Sequence, residues 1–356
     1  MAQIKLNTPS QTDLLSITQS PGVQYLVLDA QDILSECYAG FADLGNKVLV
    51  TEQTTFNAFS ITKTATAAAA LKLVEQGKLG LDDYMNPLFR EFHFSHPFTL
   101  RQLLSHQAGF PNPIPISWVH LATEDDAFDE QKFSIALIDK HSEQKFKPGT
   151  KATYSSIGYL LLAQIIEKVS GESYESYVRK NVLPALDKTD TLDFRIADAE
   201  RQAVGYHKRF SLSNLILGCF LDRKKYIKGQ YGTWTAFRPF YVNGKAYGGL
   251  IGNARGLAAY LRAYLNQRIF LHPEAQQMMF VEQKGGLSLG WYTGKLQGEK
   301  FVCHAGGGGG YYGEIRIYPE LNIASVLLRN RSGFSDLRLL DKIDSTSIFQ
   351  LNLFKQ

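Results

Sequence analysis

The sequence predicts a protein of the α/β class, of the α+β type, in which both termini contribute to one antiparallel sheet. Strand-like segments lie near the start of the chain and again after residue 286, and strongly periodic helical segments fill the middle. The links between the late strands are short, which favours antiparallel pairing. We therefore expect helices to flank the sheet and a large helical region to be inserted between its two halves.

The N-terminal part contains two predicted strands and a long helix. The segments QYLVLDA (24–30) and SECYAGFADL (35–44) are rich in apolar and aromatic residues and are separated by a turn. A helix is predicted at about 61–76, because Gly77 and Gly80 stand where such a helix would end.

The middle of the chain is predicted to be helical. The segment FTLRQLLSHQAG (98–109) indicates a short helix with Thr99 and Gln102 as a capping box. Three longer helical segments follow: DEQKFSIALIDKH (129–141), SIGYLLLAQIIEKVSG (156–171) and SYESYVRKNVLPAL (173–186). Residues 210–245 are aromatic and basic, and their pattern indicates an irregular segment.

The C-terminal part returns to strands after a predicted helix at 254–267. Four strand-like segments are separated by turn residues: LSLGWYTGK (287–295), KFVCHAG (300–306), YGEIRIYPE (312–320) and NIASVLLRN (322–330). The last twenty residues are expected to form a closing helix. We expect a single domain over 1–356, with sheet-containing parts at 1–81 and 246–356 and an inserted helical part at 82–245.

Composition and charge exclude several classes of protein. The 356 residues are 44% hydrophobic and 20% charged, which is typical of a globular protein with a substantial core. The net charge of +4 is too small to indicate nucleic-acid binding. The three cysteines, Cys37, Cys219 and Cys303, do not suggest a disulfide framework. Without an apolar stretch of signal-peptide length, the chain as written is expected in the cytoplasm, or in the periplasm or outside the cell if a leader preceded it.

Two further features bear on binding. The basic run RKKYIK (223–228) follows the apolar stretch LILGCFL (215–221), and we interpret the pair as a covered surface loop, with membrane contact as the alternative. The histidines and carboxylates show no metal-ligand spacing, so no metal is expected.

The Ser-x-x-Lys motif occurs twice, although about one match is expected by chance in a chain of this length. Ser142 and Lys145 lie in a polar stretch that runs into Pro148, where a helix would not persist. Ser60 and Lys63 open a predicted helix of at least four turns, and residues three apart share one face of a helix. Free N–H groups at a helix start favour negative charge, and partial burial favours a neutral lysine. Ser60 and Lys63 therefore indicate a serine nucleophile with an adjacent base.

Two other motifs lack the structural context that they need. The G-x-S-x-G pattern at 286–290 is typical of a nucleophile elbow, but a strand is predicted after it and only one histidine, His304, follows. The G-x-G-x-x-G pattern at 308–313 precedes the strand EIRIYPE, whereas a dinucleotide site needs a helix there. We expect these glycines to let the backbone pass close to a ligand or a neighbouring strand.

Several motifs, taken in order, resemble the serine hydrolases of the class C β-lactamase and penicillin-binding-protein type. The resemblance covers about residues 23–331 and rests on these segments: FSITKTATAAAALKLVEQGKLGLDDYM, TLRQLLSHQAGFP, FKPGTKATYSSIGYLLLAQIIEKVSG, AYGGLIGNARGLAAYL and HAGGGGGYYGEIRIYPELNIASVLLRN. It implies a β-lactamase/transpeptidase-like fold and a serine hydrolase that forms an acyl-enzyme and needs no cofactor.

The resemblance implies a role for three catalytic residues and one binding residue. Ser60 matches the nucleophile, and Lys63 and Tyr154 match a coupled pair that moves protons. Which of the two is the base is left open, because coupled groups titrate together. Ser156 stands where many members have asparagine, which makes a polar contact to substrate.

The third motif of the family is matched by His304-Ala305-Gly306, where many β-lactamases begin with lysine. Histidine is neutral or positive near pH 7, so a lasting positive charge for a substrate carboxylate is not implied. The resemblance also implies an oxyanion hole formed by the N–H groups of Ser60 and Gly307.

These residues favour a carboxylesterase or a D-amino-acid peptidase-like enzyme acting on an ester or amide. A true β-lactamase or DD-carboxypeptidase is the alternative, and a non-catalytic binding or scaffolding protein is the alternative of another class. The expected partner is a small ester, amide or peptide, with no nucleic acid. The segment YGTWTAFRPFYVNG (231–244) is expected to flank the site, with Trp234 and Phe237 favouring apolar acyl groups.

Overall fold

The computed structural model of the chain describes residues 6–113, 118–187, 189–210, 221–332 and 338–349. Its helices are α1 (Gln11–Thr18), α2 (Thr62–Glu75), α3 (Leu100–Leu104), α4 (Glu130–Lys140), α5 (Ser156–Ser170), α6 (Tyr174–Asn181), α7 (Arg223–Tyr226), α8 (Lys245–Gly248), α9 (Ala254–Leu265), α10 (Pro273–Phe280) and α11 (Leu339–Ser347). Short 3-10 turns lie at Phe59–Ile61, Asn86–Leu88 and Ala122–Ala127.

The strands are β1 (Gly22–Asp29), β2 (Ile33–Asp43), β3 (Val48–Leu49), β4 (Phe56–Asn57), β5 (Val119–Leu121), β6 (Leu192–Asp193), β7 (Tyr206–Lys208), β8 (Ile227–Tyr231), β9 (Trp234–Phe237), β10 (Phe240–Val242), β11 (Ile251–Gly252), β12 (Tyr292–Leu296), β13 (Glu299–Gly308), β14 (Tyr311–Tyr318) and β15 (Ile323–Arg329). Seven of them form the central sheet, in the order β12-β13-β14-β15-β1-β2-β3.

Both ends of the chain build this sheet, as the sequence predicts. Strand β1 lies between β15 and β2, and Val23 is paired with Arg329 on one side and with Ala39 on the other. Every pair in the sheet is antiparallel. Its seven strands lie within the parts 1–81 and 246–356, and the division of the domain remains a prediction.

Different helices cover the two faces of the sheet. Tyr25 and Val27 of β1 face a buried cluster that includes Leu14 of α1 and Ile343 of α11. Alternate residues of the same strand face the main core, where α9 packs on β1 and β15. Helix α11 lies within the last twenty residues, where the sequence predicts a closing helix.

Helix α2 lies at the centre of the helical layer. Ala65 and residues 67–70 are fully buried, and α5, α6 and α8 pack around the helix. The small alanine side chains allow these neighbours to approach from several sides. The helix ends within one residue of the predicted end, and Gly77, two residues after it, has a positive φ of 69°.

The prediction of an irregular segment at 210–245 is wrong in part. Strands β7, β9 and β8 form a small antiparallel sheet, and β10 pairs with β5. Gly232, with φ of 58°, allows the tight turn between β8 and β9. Residues 211–220, which include Cys219 and most of the LILGCFL stretch, lie outside the described residues.

Two further observations concern the cysteines and the possibility of a membrane span. Cys37 and Cys303 are free thiols. Within the described ranges, no helix has the length and apolar character needed to cross a bilayer.

Candidate active site

Ser60 lies in the 3-10 turn directly before α2 and does not cap that helix. No side chain caps the turn or α2 at their N-cap positions, Ala58 and Ile61. Phe59, directly before Ser60, has a positive φ of 48°, which is uncommon for a residue other than glycine. Such backbone strain persists where the surroundings hold it, and it clusters at functional sites.

The surroundings hold this turn through Thr62. Its hydroxyl donates to the carbonyl of Phe59 at 2.6 Å and accepts the N–H of Leu250 at 3.0 Å. The strained turn that carries Ser60 is thus tied to the chain just before β11.

Two side chains converge on the hydroxyl of Ser60. Lys63 Nζ, one helical turn further on, lies 3.3 Å from Ser60 Oγ. Tyr154 Oη, from the loop before α5, donates to the same oxygen at 2.6 Å. The structure therefore brings together the three residues that the sequence predicts as catalytic.

The amine of Lys63 is completely buried. Its Nζ donates to the carbonyl of Tyr247 at 2.7 Å and lies 4.7 to 5.4 Å from the ring centres of Tyr154, Tyr159 and Tyr247. Burial removes the water that would stabilise an ammonium ion, so the pKa of Lys63 falls well below its usual value. This environment favours the neutral amine.

The same burial has the opposite effect on Tyr154. It disfavours the charged phenolate and raises the pKa of Tyr154, although the hydrogen bond with Ser60 opposes that shift. At neutral pH the residue is therefore a phenol that donates its proton to Ser60 Oγ.

His304 lies on β13 at the edge of this group and is buried. Its ring centre is 6.4 Å from that of Tyr154 and 5.4 Å from that of Tyr292. Burial is the main cause that lowers the pKa of His304, to about 3. Of the two states that the sequence leaves open, the structure therefore favours the neutral imidazole.

Strand β13 runs directly against the turn that carries Ser60. A Cβ atom added at Gly306 would lie 2.1 Å from the carbonyl oxygen of Ala58 and 2.7 Å from the nitrogen of Ser60. Only glycine fits this approach. Gly307, the next residue, is exposed and pairs with Tyr312 of β14.

Ser156 is the first residue of α5 and is almost fully buried. Its N–H donates to Asn112 Oδ1 at 3.0 Å. The helix cap is Ser155, whose hydroxyl accepts the N–H of Gly158 at 3.1 Å. The substrate contact that the resemblance implies for Ser156 remains a prediction.

The rival serines have other roles. Ser288 is completely buried and its hydroxyl donates to the carbonyl of Trp291 at 3.1 Å, in a loop that leads into a strand. Ser142 donates to the carbonyl of Asp139, while Lys145 pairs with Glu143 at the surface. Neither serine has the lysine and tyrosine contacts of Ser60.

The aromatic segment contributes to the site through a different residue from those expected. Trp234 packs near Tyr206, and Phe237 near His207, on the small sheet. Phe240 is the member of the segment that contacts Phe59, at 6.3 Å between ring centres.

No local pattern in the sequence indicates a role for His106 or Tyr247, yet both touch the group around Ser60. His106 packs on Tyr154, and the carbonyl of Tyr247 holds Lys63. A signal for the first lay in the TLRQLLSHQAGFP segment, which carries part of the family resemblance. Nowhere in the described part of the chain do three His, Cys, Asp or Glu side chains form a group that could hold a metal ion.

Comparisons with known proteins agree with the geometry. The family model described as Beta-lactamase matches residues 12–346. Penicillin-binding protein 4* of Bacillus subtilis is 25% identical over 317 residues, which cover 86% of this chain and 67% of that protein. Protein flp of Staphylococcus aureus (strain N315) is 28% identical over 196 residues, which cover 52% of this chain but only 38% of flp. The match thus spans well under half of that relative.

Two solved structures share the fold over most of the chain. An octameric penicillin-binding protein homologue from Pyrococcus abyssi is 27% identical, with a TM-score of 0.74 that covers 94% of this chain and 75% of that one. D-amino acid amidase from Ochrobactrum anthropi SV3 is 20% identical, with a TM-score of 0.75 over 94% of this chain and 96% of that one. At this lower identity the second likeness concerns the fold alone.

Proposed function

The chain belongs to the beta-lactamase family of serine hydrolases, and from this premise we propose that it hydrolyses a neutral ester or amide through an acyl-enzyme on Ser60. The observation that carries the proposal is the convergence of Lys63 Nζ and Tyr154 Oη on Ser60 Oγ, at 3.3 and 2.6 Å. A serine hydroxyl is a weak nucleophile until a neighbouring base takes its proton. The distance between the nucleophile and its base is often longer when no substrate is bound.

Lys63 is the base in this proposal, and Tyr154 is its proton-donating partner. The pKa of Lys63 is lowered and that of Tyr154 is raised, so amine and phenol are favoured over ammonium and phenolate. A neutral amine has a lone pair for the Ser60 proton, whereas a phenol donates one. The directions of these two shifts support Lys63 rather than Tyr154 as the acceptor in the first step.

The reaction then follows in two halves. Ser60 Oγ bonds to the carbonyl carbon as its proton passes to Lys63, and the carbonyl oxygen becomes an oxyanion. The bond to the leaving group breaks, and the leaving group takes a proton from the Lys63–Tyr154 pair. Water then attacks the acyl-enzyme, gives one proton to that pair, and releases the acid with Ser60 restored.

The N–H groups of Ser60 and Gly307 are the proposed oxyanion hole. The close passage of Gly306 against the nitrogen of Ser60 supports this pairing, because it brings the two backbone segments together. Backbone N–H groups placed in advance around the developing oxyanion stabilise it without further rearrangement.

The proposed substrate is neutral where it meets His304. With its pKa lowered to about 3, this imidazole carries no positive charge for a carboxylate at neutral pH. That favours simple esters and amino-acid amides over β-lactams or peptides recognised through a carboxylate. Because the fold neighbour from Ochrobactrum anthropi is a D-amino acid amidase, a D-amino-acid amide belongs among the substrates to test.

The proposal is tested by initial rates on p-nitrophenyl butyrate, D-phenylalanine amide and nitrocefin. We expect the wild type and Ser288→Ala, the matched control, to hydrolyse the ester, and Ser60→Ala to be slower by roughly 10³-fold or more. Equal ester rates in wild type and Ser60→Ala would overturn the proposal. Turnover of nitrocefin alone would favour a β-lactamase, and no turnover of any substrate would favour the binding-protein alternative.

A further inference from the structure

We propose that His106 is a positioning residue that holds Tyr154 against Ser60. This inference rests on the proposed function of the Ser60 site, because it assigns His106 a role in that reaction through Tyr154. His106 has no contact with Ser60 Oγ among the hydrogen bonds of the described residues, so its effect passes through the tyrosine.

His106 holds the chain on both sides of Tyr154. It follows helix α3 with a left-handed φ of 57° and is 4% exposed. Its carbonyl accepts the N–H of Thr153 at 2.9 Å, and its ring Nδ1 accepts the N–H of Ser155 at 3.1 Å. One residue thereby fixes the backbone immediately before and after the tyrosine.

The imidazole also fixes the tyrosine ring. Its centre lies 4.6 Å from that of Tyr154 and 5.0 Å from that of Tyr159. Tyr159 is anchored in turn, because its hydroxyl donates to the carbonyl of Leu104 at 3.1 Å. With the backbone held and one ring face packed, little freedom remains in the two side-chain torsions that place Tyr154 Oη.

The arrangement requires a neutral imidazole. A ring nitrogen that accepts a backbone N–H carries no hydrogen, so the proton of His106 lies on Nε2. Burial lowers the pKa of His106 well below its usual value, which keeps this form at neutral pH. The hydrogen bond to Ser155 therefore persists under the conditions in which the enzyme is proposed to work.

A purely structural role for His106 is the competing explanation, and a double-mutant cycle separates the two. His106→Ala removes the ring and the acceptor. His106→Asn keeps an oxygen near the place of Nδ1, and asparagine tolerates the left-handed backbone better than other residues. Each variant is combined with Tyr154→Phe, which lacks the hydroxyl that His106 is proposed to position.

Kinetics on p-nitrophenyl butyrate give the first readout. We expect His106→Ala to lower kcat by about 10- to 100-fold with little change in KM, because a misplaced catalytic group slows the reaction by such factors. In the Tyr154→Phe background the same change should alter kcat by less than about 2-fold, and His106→Asn should recover most of the loss. Equal loss in both backgrounds would overturn the proposal, and an asparagine variant as slow as the alanine variant would contradict its hydrogen-bond part.

A second readout does not depend on turnover. Tyrosine labelled with ¹³C at Cζ gives NMR signals, and that of Tyr154 is identified by its absence in Tyr154→Phe. We expect this signal to shift or broaden in His106→Ala and to stay near its wild-type position in His106→Asn. If the signal responds but the wild type hydrolyses no substrate, the positioning stands and the proposed function fails. If the wild type is active and the signal is unchanged, the positioning fails.

Discussion

At the scale of single residues, burial decides which proton-carrying groups around Ser60 are charged. Lys63, Tyr154 and His304 are all withdrawn from water, so each is driven toward its neutral form. When the proton of Ser60 passes to a neutral Lys63, the ammonium and the oxyanion that form offset each other, so the interior gains no net charge. The chemistry proposed for Ser60 depends on this shared neutrality.

The protonation state of Lys63 is expected to set the pH dependence of the reaction. Because the neutral amine is the working form, kcat/KM for an ester should rise with pH through the lowered pKa of Lys63. Lys63→Arg should reduce kcat by roughly 10²- to 10⁴-fold, since a guanidinium stays protonated. Lys72→Arg, on the same helix and away from Ser60, is the control. A Lys63→Arg enzyme with the wild-type rate and pH profile would refute the assignment.

We do not expect His304 to set the pH dependence of the reaction. The pKa of His304, at about 3, lies below the range in which the enzyme would be assayed. His304→Gln should therefore leave the acidic limb of the kcat/KM profile at the same pH, even if the rate itself falls. A pH series from 5 to 9 checks this, and loss of the acidic limb in the variant would show that His304 titrates there instead of Lys63.

The residues of the site differ in how far the sequence predicts their positions. The spacing of Ser60 and Lys63 is local, so helix geometry alone predicts their contact. Tyr154 lies 94 residues from Ser60, and only the family resemblance predicts it. His106 was missed because its role depends on a left-handed turn after α3, which no periodic pattern reveals.

At the scale of elements, the approach of β13 to the turn before α2 shapes the proposed oxyanion site. The contact is between backbones, so a side chain at Gly306 has no place to go. By contrast, Gly158 in α5 is surrounded more loosely, since a Cβ there would lie 3.6 Å from Leu103 Cδ2. Substitution of Gly158 is therefore a suitable control for substitution of Gly306.

We expect opposite effects from alanine at these two positions. Gly306→Ala should lower the free energy of unfolding by about 1–3 kcal/mol and abolish activity, because the strand must move away from Ser60. Gly158→Ala should be neutral or raise it by up to about 1 kcal/mol, because glycine weakens a helix interior. Urea unfolding with parallel ester assays measures both, and an active, fully stable Gly306→Ala protein would contradict the described packing.

Elements also differ in how far their sequence predicts them. Strands β1 and β15 are buried on both faces, so their continuous apolar runs are clear. Strand β8 alternates exposed and half-buried residues and includes Lys228 and Gly229, so its strand pattern is weak. Its pairing with β9 depends on tertiary contacts that local propensity does not contain.

At the scale of the whole molecule, a buried carboxylate joins the C-terminal helix to the sheet. Asp344 of α11 accepts hydrogen bonds from Tyr25 at 3.0 Å, Tyr318 at 2.7 Å and Ser325 at 2.8 Å. These three residues lie on β1, β14 and β15. One side chain of α11 therefore joins a strand from the N-terminal part of the sheet to two strands from its C-terminal part.

This carboxylate predicts a pH-dependent stability. Burial raises the pKa of Asp344 to about 6, so the folded protein binds this proton more tightly than the unfolded chain. The resulting stabilisation is fully present below about pH 4 and is lost as the pH rises through about 6. Relative to Asp344→Asn, whose amide does not titrate, the unfolding free energy of the wild type should fall by about 2 kcal/mol between pH 4 and 7.

Chemical denaturation of both proteins across this range measures the difference, and other carboxylates cancel because both proteins share them. A difference that stays flat from pH 4 to 7 would mean that Asp344 does not hold its proton more tightly in the folded state.

Ser60 is proposed to become acylated during turnover, and mass spectrometry of the intact protein tests this acylation most directly. The protein is mixed with p-nitrophenyl butyrate, quenched in acid within the first turnovers, and digested to locate any adduct. We predict one butyryl group on the peptide that contains Ser60 in the wild type and in Ser288→Ala, and none in Ser60→Ala. A butyryl group on another residue, or hydrolysis by Ser60→Ala at the wild-type rate, would contradict the account.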